Sequence, residues 1–526
     1  MIMRVRGSRS DMRGQSLPAL SQSLLDELRE RNPANISAEL LANQSANIQL
    51  PTAKMVGTPE TILQIGSGAF LRGFVEDFVQ LANIAGGPVG RVVSVQRKSD
   101  HRSAAFRRQD GLYTLILRGL ENGGPAERKR IIASISRSLS ADTEWKKVIA
   151  MAVRPSTRVI VSNVTESGFA LGASETPADH PPLSFPGKLT QLLRERWQSS
   201  GGHDADVAIV PCELVENNGS MLRKLIDEQA QAWNLPAAFS DWLRSSVHFA
   251  NTLVDRIVVG PPPPGKLEAE WQALGYRDDL IVCAEPFALF ALEADEFVRQ
   301  HFPNVEASPG IRFVDDLTPY RVRKVRILNG SHTILAGIGR LLGLRTVREA
   351  IDDHQLGKLV ENTIFQEMIP AAELGEEVES RRYAREVQAR FRNSFIEHSL
   401  VSICSNCSTK VGTRLFPAIR SYMEQRRVVP RRLLFGVAAV MILLRESDAE
   451  DAHLEFIREA WARVGDQSVD DQSPDSVLAF VQRILAKQVE WSREDIDLRA
   501  IAPEIARILT KIREQGLRVA MEFYVS

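Results

Sequence analysis

Thr61-Ile-Leu-Gln-Ile65-Gly66-Ser67-Gly68-Ala69-Phe70-Leu71-Arg72-Gly73 is the stretch on which the fold turns. A short apolar run ends on two glycines one residue apart, and helical periodicity follows over 69–83. The pattern is strand, glycine turn, helix. Gly66 suits a tight turn, and Gly68 lets the backbone come close to a pyrophosphate. The helix opening at Ala69 and Phe70 offers free N–H groups and the positive end of its dipole. The third glycine of the usual dinucleotide fingerprint is displaced: Leu71 holds its place and Gly73 comes two residues later. A plain βα turn would use the same first glycine, so the context has to decide.

Outward from this turn, further β-like runs occur at 91–95, 113–117, 158–162 and 207–211, with helical patterns at 142–151 and 186–198 between them. Strands alternating with helices imply a mainly parallel sheet covered on both faces. Beyond about 310, strands become scarce and helical patterns dominate, over 328–342, 346–365, 375–391, 430–445, 449–464 and 474–487. The expected fold class is α/β: a Rossmann-like N-terminal domain with a parallel sheet, then an all-helical C-terminal domain. The expected bounds are an extension at 1–57, a dinucleotide-binding domain at 58–310 and a helical substrate-binding domain at 311–526. The extension, polar and Arg-containing with an amphipathic stretch at 17–28, reads as a peripheral helix and a strap.

Composition excludes several classes. Lys+Arg is 65 and Asp+Glu 66, a net charge of −1, whereas a nucleic-acid or anionic-membrane surface needs a concentrated positive field. Four cysteines in 526 residues are too few for a stapled secreted fold. The charged start is followed by no apolar core of a secretory signal. The longest apolar run, 433–444, has 12 residues, short of the roughly 20 that cross a bilayer, and reads as a buried helix. A cytoplasmic protein with a small-molecule partner is expected.

The second strand ends in Ser94-Val95-Gln96-Arg97-Lys98. No carboxylate stands there to hold a ribose diol. Gln96 can bond a ribose hydroxyl, while Arg97 and Lys98 can accept a 2′-phosphate or be an ordinary solvated strand end. This strand leaves the choice of dinucleotide open.

The other constellation is Lys324-Val-Arg-Ile-Leu-Asn329-Gly-Ser-His332. Asn329 and His332, three apart, share a helix face, whereas Lys324 lies about 140° from Asn329 at 100° per residue and belongs before or within the first turn. A lysine, an amide and an imidazole in one cleft supply a proton, an oxyanion donor and an orienting hydrogen bond, the needs of carbonyl reduction. A surface lysine, a cap-like Asn and a satisfied core His would give the same string.

Taken together, the glycine-turn segment, Asp110-Gly-Leu-Tyr-Thr114, Asn163-Val-Thr-Glu-Ser-Gly168, Pro211-Cys-Glu-Leu, Asn218-Gly219, Leu253-Val-Asp-Arg-Ile257 and Lys324-x4-Asn329-x2-His332 resemble the mannitol dehydrogenase (long-chain polyol dehydrogenase) family, from about residue 60 to 445. The resemblance implies a metal-independent, NAD-linked hydride transfer, most like the family's hexuronate branch, between D-tagaturonate and D-altronate. It places the family's Lys, Asn and His on Lys324, Asn329 and His332. Its second oxyanion amide falls on Asn218, with Asn217 as competitor. Asp255 resembles the aspartate near the nicotinamide, and Arg390 and Asn393 of Arg390-Phe-Arg-Asn393 are candidates for holding substrate. The chain departs from the pattern twice. Arg321 stands where polyol-oxidising members resemble one another in a glutamate, which argues against a polyol substrate, and Ser394 replaces the proline of the family's Asn-Pro. Fructuronate/mannonate or mannitol/fructose chemistry, or a catalytically silent dinucleotide sensor, are the alternatives.

A lysine's ordinary pKa, about 10.4, is high for proton transfer near neutrality. Burial and nearby positive charge, from Arg323, Arg326 or an oxidised nicotinamide, would lower it. A hexuronate also brings a carboxylate, for which Arg390, Arg392 and Lys410 are candidates. Two other strings carry no chemistry. Gly260-Pro-Pro-Pro-Pro-Gly265-Lys266 has P-loop spacing, but its prolines have no N–H for a phosphate and Leu267 replaces the metal-holding hydroxyl. Cys404-x2-Cys407 has zinc-like spacing without a second pair.

Overall fold

The structure is a computed structural model that describes residues 17–31, 48–85, 87, 89–97, 101–121, 124–164, 168–172, 174–201, 205–304, 306–371, 377–394, 398–446, 474–486 and 497–525. Lys98, positions 165–167 of the Asn163–Gly168 motif and the helix expected over 449–464 lie outside the described residues. The chain divides into two units, Met1–Leu317 and Thr318–Ser526.

In the first unit, β1 (Glu60–Ile65), β2 (Arg91–Gln96), β3 (Ile135–Ser140), β4 (Val159–Ser162), β5 (Val207–Pro211) and β6 (Val247–Phe249) form one sheet in the order β3-β2-β1-β4-β5-β6. Every neighbouring pair is parallel. The order reverses between β1 and β4, the crevice in which doubly wound sheets bind ligands beyond the carboxyl ends of the strands. Successive side chains of a strand point to opposite faces, and each face has its own core. Ile62, Val92, Val159, Val161, Ala208 and Val210 enter one; Leu63, Val93, Ile160, Val207 and Ile209 enter the other. The helix Val75–Ala85 brings Val75, Phe78 and Val79 to the first core, while Ala141–Ala152 and Phe185–Ser200 bring Trp145, Val148, Leu189 and Leu192 to the second. Burial on both sides makes the central strands β4 and β5 nearly continuous apolar runs.

The run 113–117, expected among the alternating strands, lies outside this sheet. It begins Tyr113–Glu121, which folds back on Gly124–Ile132 as an antiparallel hairpin with Tyr113 opposite Ile132. With Ile48–Gln49, Val282–Ala284 and Val258–Gly260 the hairpin makes a mixed five-stranded sheet. Its second arm is disguised in the sequence by Glu127-Arg-Lys-Arg130. Buried Arg130 is there because Asp77 receives it, and Asp77 also takes Arg256 Nη1 at 2.9 Å. A third sheet joins Asn251–Asp255, Leu289–Glu293 and Ile311–Val314. Because Ile311–Val314 pairs in parallel with Leu289–Glu293, the unit runs to Leu317, beyond the 310 expected. Leu20, Leu25, Leu50 and Met55 enter a core of their own with Leu112, Ile116, Ile131 and Ile281. At about 1.5–3 kcal/mol for each fully buried leucine, the helix Gln22–Arg31 is fastened to the unit.

Every regular element of the second unit among the described residues is a helix. Its axis is a continuous helical stretch, 318–341, made of Thr318–Arg323, a π-helical segment Lys324–Asn329, and Gly330–Leu341. Residues 330–339 are all buried, since glycines let neighbours close in: a Cβ on Gly337 would stand 2.8 Å from Val440 Cγ2, and one on Gly339 2.8 Å from Leu400 Cδ1. Val440 belongs to Arg431–Glu446, the helix that contains the apolar run 433–444. The helical pattern expected over 346–365 is broken at Asp353, whose carboxylate caps the second piece by accepting from Leu356 N at 3.0 Å.

Candidate active site

The glycine turn lies at the reversal of strand order. Gly66 has φ +121°, a conformation in which a side chain is strained, and a Cβ there would meet Asn163 O and Leu71 Cδ1 at 3.2 Å each. Gly66 N donates to Val95 O at 2.9 Å and Asn163 N to Ile65 O at 3.2 Å, so the ends of β2, β1 and β4 are stitched around the turn. Gly68 caps the short helix Ala69–Arg72, and a Cβ on it would meet nothing within 4 Å. The backbone is bare at the position where a pyrophosphate would approach it, so the turn fits a dinucleotide. Gly73 does the packing work of the displaced third glycine: a Cβ there would stand 2.8 Å from Val258 Cγ1. Ala69 and Phe70 are half-buried, with Phe70 stacked on Phe74 at 5.0 Å.

Behind the turn are groups that the sequence did not single out. Arg72 Nη1 donates to Ser67 O at 3.2 Å, and Tyr113 Oη donates to Arg72 O at 2.7 Å. Gln64 Nε2 donates to both Gly66 O at 2.9 Å and Glu76 Oε1 at 2.7 Å. Burial, opposed by Gln64's hydrogen bond, pushes the Glu76 carboxyl up to about 7. At the end of β5, burial pushes Glu213 up to about 7 as well, against the bonds it accepts from Val164 N at 2.9 Å and Ser162 Oγ at 3.1 Å.

Of the other candidates in this unit, Gln96 is buried at the end of β2 and donates from Nε2 to Ser138 Oγ at 3.0 Å, while Arg97 is exposed. Asp255, buried, ends the strand Asn251–Asp255. Its neighbour Arg256 donates to Gly73 O at 2.8 Å, which brings this segment beside the glycine-turn helix. Asn218 does not suit the oxyanion role expected of it. Its Nδ2 donates to Glu213 O at 3.0 Å, Thr252 Oγ1 at 3.0 Å and Pro211 O at 3.2 Å. Its Oδ1 accepts from Gly219 N and Thr252 N, each at 2.9 Å. The amide is consumed in tying β5 to the strand Asn251–Asp255. Asn217, exposed and left-handed at φ +49°, is the remaining candidate.

In the second unit, Lys324 and Asn329 open and close the π-helical segment. A π turn holds one residue more than an α turn, with i→i+5 bonds, so residues five apart fall on one face, much as residues four apart do in an α-helix. The 140° separation expected from α winding does not apply. Lys324 and His332 are buried. Ser331 donates to Ile327 O and to Leu328 O (3.1 Å for the latter), and Thr333 Oγ1 donates to Asn329 O at 2.9 Å. Both hydroxyls thereby serve backbone carbonyls of the π segment. Asn329 Oδ1 and His332 Nε2 are buried and have no hydrogen-bond partner among the described residues. Such atoms cost free energy unless something satisfies them.

His332 stacks on Phe391 at 4.4 Å and meets His398 edge-on at 5.0 Å. Burial, then His398 and the positive charges of Arg414, Arg390 and Lys410, hold its imidazole well below the ordinary histidine range, so it is neutral at pH 7. Burial also brings His398 down to about 4, and its Nδ1 has no partner. Arg390 and Asn393 are buried at the end of the helix Glu377–Phe391, which packs on the π segment. Arg392, a candidate for a carboxylate, is exposed instead. Lys410 Nζ donates to Ile403 O at 2.7 Å, and Arg414 Nη1 lies 3.5 Å from Thr333 Oγ1. His398 and Arg414 were not singled out, since neither sits in a motif with the lysine helix. Cys404 and Cys407 are buried thiols that form no disulfide among the described residues. Among the described residues no group of three or more His, Cys, Asp or Glu could hold a metal ion, and no helix is long and apolar enough to cross a membrane.

Residues 60–305 match the family model of the mannitol dehydrogenase Rossmann domain, and residues 316–495 that of the mannitol dehydrogenase C-terminal domain. The chain belongs to the mannitol dehydrogenase family, and is a dehydrogenase acting on CH–OH groups. Within the family it is 37% identical over 481 residues to the altronate oxidoreductase of Pectobacterium carotovorum subsp. carotovorum (strain PC1), covering 89% of this chain and 97% of that one. It is 34% identical over 470 residues to the altronate oxidoreductase of Bacillus subtilis (strain 168), covering 89% and 95%. Its fold is similar to that of a D-sorbitol dehydrogenase in substrate-free form (TM-score 0.75, 24% identity, 92% of this chain and 100% of that one). It is also similar to Pseudomonas fluorescens mannitol 2-dehydrogenase in a ternary complex with NAD and D-mannitol (TM-score 0.72, 24% identity, 93% and 99%).

Proposed function

We propose that this protein interconverts D-tagaturonate and D-altronate with NAD(H), with Lys324 as general acid and base and without a metal ion. The observation that carries the chemistry is the buried lysine set on one face of a π turn with Asn329, followed by His332 Nε2, without a partner among the described residues. The altronate oxidoreductases that the chain resembles along nearly their whole length support the choice of sugar acid.

The Gly66–Gly68 turn, with Ala69, Phe70, Gln96 and Asp255, would hold NAD(H), whose chemistry would be to give or take the hydride at the substrate's reacting carbon. Lys324 Nζ gives a proton to the carbonyl oxygen in reduction and takes it back in oxidation. Asn329 holds the same oxygen as negative charge develops on it, and a donor fixed before the reaction loses nothing to reorganisation. His332, neutral, bonds a substrate hydroxyl through Nε2, which relieves that atom's missing bond. Arg390 and Asn393 hold the rest of the sugar chain.

NADH oxidation with tagaturonate, fructuronate and fructose side by side, repeated with NADPH, tests the reading. Tagaturonate should be the preferred substrate and NADH the preferred reductant. A preference for fructose would overturn the sugar-acid assignment, and equal use of NADPH would overturn the cofactor assignment and direct attention to Arg97.

A further inference from the structure

The basic groups around His332 point beyond the reacting carbon to the far end of the substrate. Among the influences on that imidazole, burial aside, the four strongest are all basic: His398, Arg414, Arg390 and Lys410. Arg390 sits beside Phe391, the ring on which His332 stacks. Arg414 and Lys410 come from a different part of the chain, the helix Cys407–Lys410 and the π-helical segment Val411–Leu415 that continues it.

That segment lies directly against the lysine helix at Gly330. A Cβ on Gly330, the residue after Asn329, would stand 3.7 Å from Arg414 O, 3.6 Å from Leu415 Cδ2 and 3.2 Å from Met368 Cε. The approach puts Arg414 Nη1 3.5 Å from the hydroxyl of Thr333, the residue next to His332. Lys410 lies four positions before Arg414, close to the same helix face. Within this cluster His332 Nε2 is buried and unsatisfied, as is His398 Nδ1. A neutral polyol would need hydroxyl partners here. Two cations beside unsatisfied imidazole nitrogens instead suit a carboxylate followed by a hydroxyl. The planar guanidinium matches a carboxylate with two parallel hydrogen bonds, and the ammonium adds a point charge.

We propose that Arg414, assisted by Lys410, is the specificity element of this enzyme: it grips the terminal carboxylate of an open-chain sugar acid and so separates uronates from neutral ketoses. The inference rests on the sugar-acid reading above and assigns it to residues. Because the carboxylate is remote from the reacting carbon, the grip acts on ground state and transition state alike, so its loss raises KM and leaves kcat nearly unchanged.

The test compares kcat and KM for tagaturonate and for fructose in the wild-type protein, Arg414→Leu and Arg414→Lys, with NADH affinity measured by fluorescence titration. Arg414→Leu should raise KM for tagaturonate by roughly 10²-fold, the scale of lost hydrogen bonds to a charged group. Its KM for fructose should move less than about threefold, with NADH affinity unchanged. Arg414→Lys, which keeps the charge and loses the fork, should fall between, and it decides the matter alone if the leucine variant does not fold. Equal losses on both substrates, or a loss in kcat rather than KM, would overturn the carboxylate role while the function stands. A wild-type protein that prefers fructose would overturn both.

Discussion

Lys324 opens and Asn329 closes one π-helical segment, which brings to one face two residues that α winding would have set about 140° apart. A lysine and an amide five apart thereby lie on the same side of the helix. π segments are uncommon and recur at functional sites, and two more, Ile364–Met368 and Val411–Leu415, pack on this one.

The bare glycine of the turn gives a separation of binding from folding. Gly68 has an ordinary extended backbone, and a Cβ there meets nothing within 4 Å. Gly68→Val should therefore leave the melting temperature within a degree or two, while it raises the NADH dissociation constant by about tenfold or more because a side chain fills the approach to the backbone. Differential scanning fluorimetry and an NADH titration check this together. Unchanged NADH affinity would remove the turn from the cofactor site.

Asn218 is expected to behave as a structural residue. Asn218→Ala deletes bonds to Glu213 O, Thr252 and Pro211 and leaves buried backbone groups unpaired. The expected cost is about 2–5 kcal/mol of stability, read by urea unfolding. The kcat of the protein that remains folded should change by less than about threefold. A kcat loss of 10²-fold or more with stability intact would restore the oxyanion role.

Glu76 gives a pH dependence with a definite sign. Its folded pKa of about 7 lies above the ordinary glutamate value of 4.5, so its contribution to stability is fully present below pH 4.5 and is lost as the pH rises through 7. Glu76→Gln removes that loss. The variant should be more stable than wild type at pH 8, by on the order of 3 kcal/mol, and the two should converge below pH 4.5. Chemical denaturation at pH 4.5, 6 and 8 measures the difference. A variant less stable than wild type at pH 8 would show that the ionised carboxylate is needed.

Much of this was legible in the sequence because it is local. Gly66-Ser-Gly68 with strand before and helix after can make few other structures, and β4 and β5 are apolar on consecutive residues because both faces are covered. What escaped depends on partners distant along the chain. The hairpin arm 124–132 hides behind Arg130, whose burial is explained only by Asp77 and, through it, Arg256. Asn218 looked like a donor until Pro211 and Thr252 were seen to use its amide. The π turn was invisible to a count at 100° per residue. Arg414 escaped because its place beside Thr333 depends on a segment some 80 residues further along the chain, for which no local pattern exists.

The claim on which the account depends is that the Lys324 amine moves the proton. Rapid mixing of enzyme and NADH with tagaturonate, followed at the NADH absorbance in a single turnover, reads that step in wild type and in Lys324→Ala. The variant should bind NADH with wild-type affinity and transfer hydride roughly 10²–10⁴-fold more slowly. A single-turnover rate in Lys324→Ala within a few-fold of wild type would contradict it.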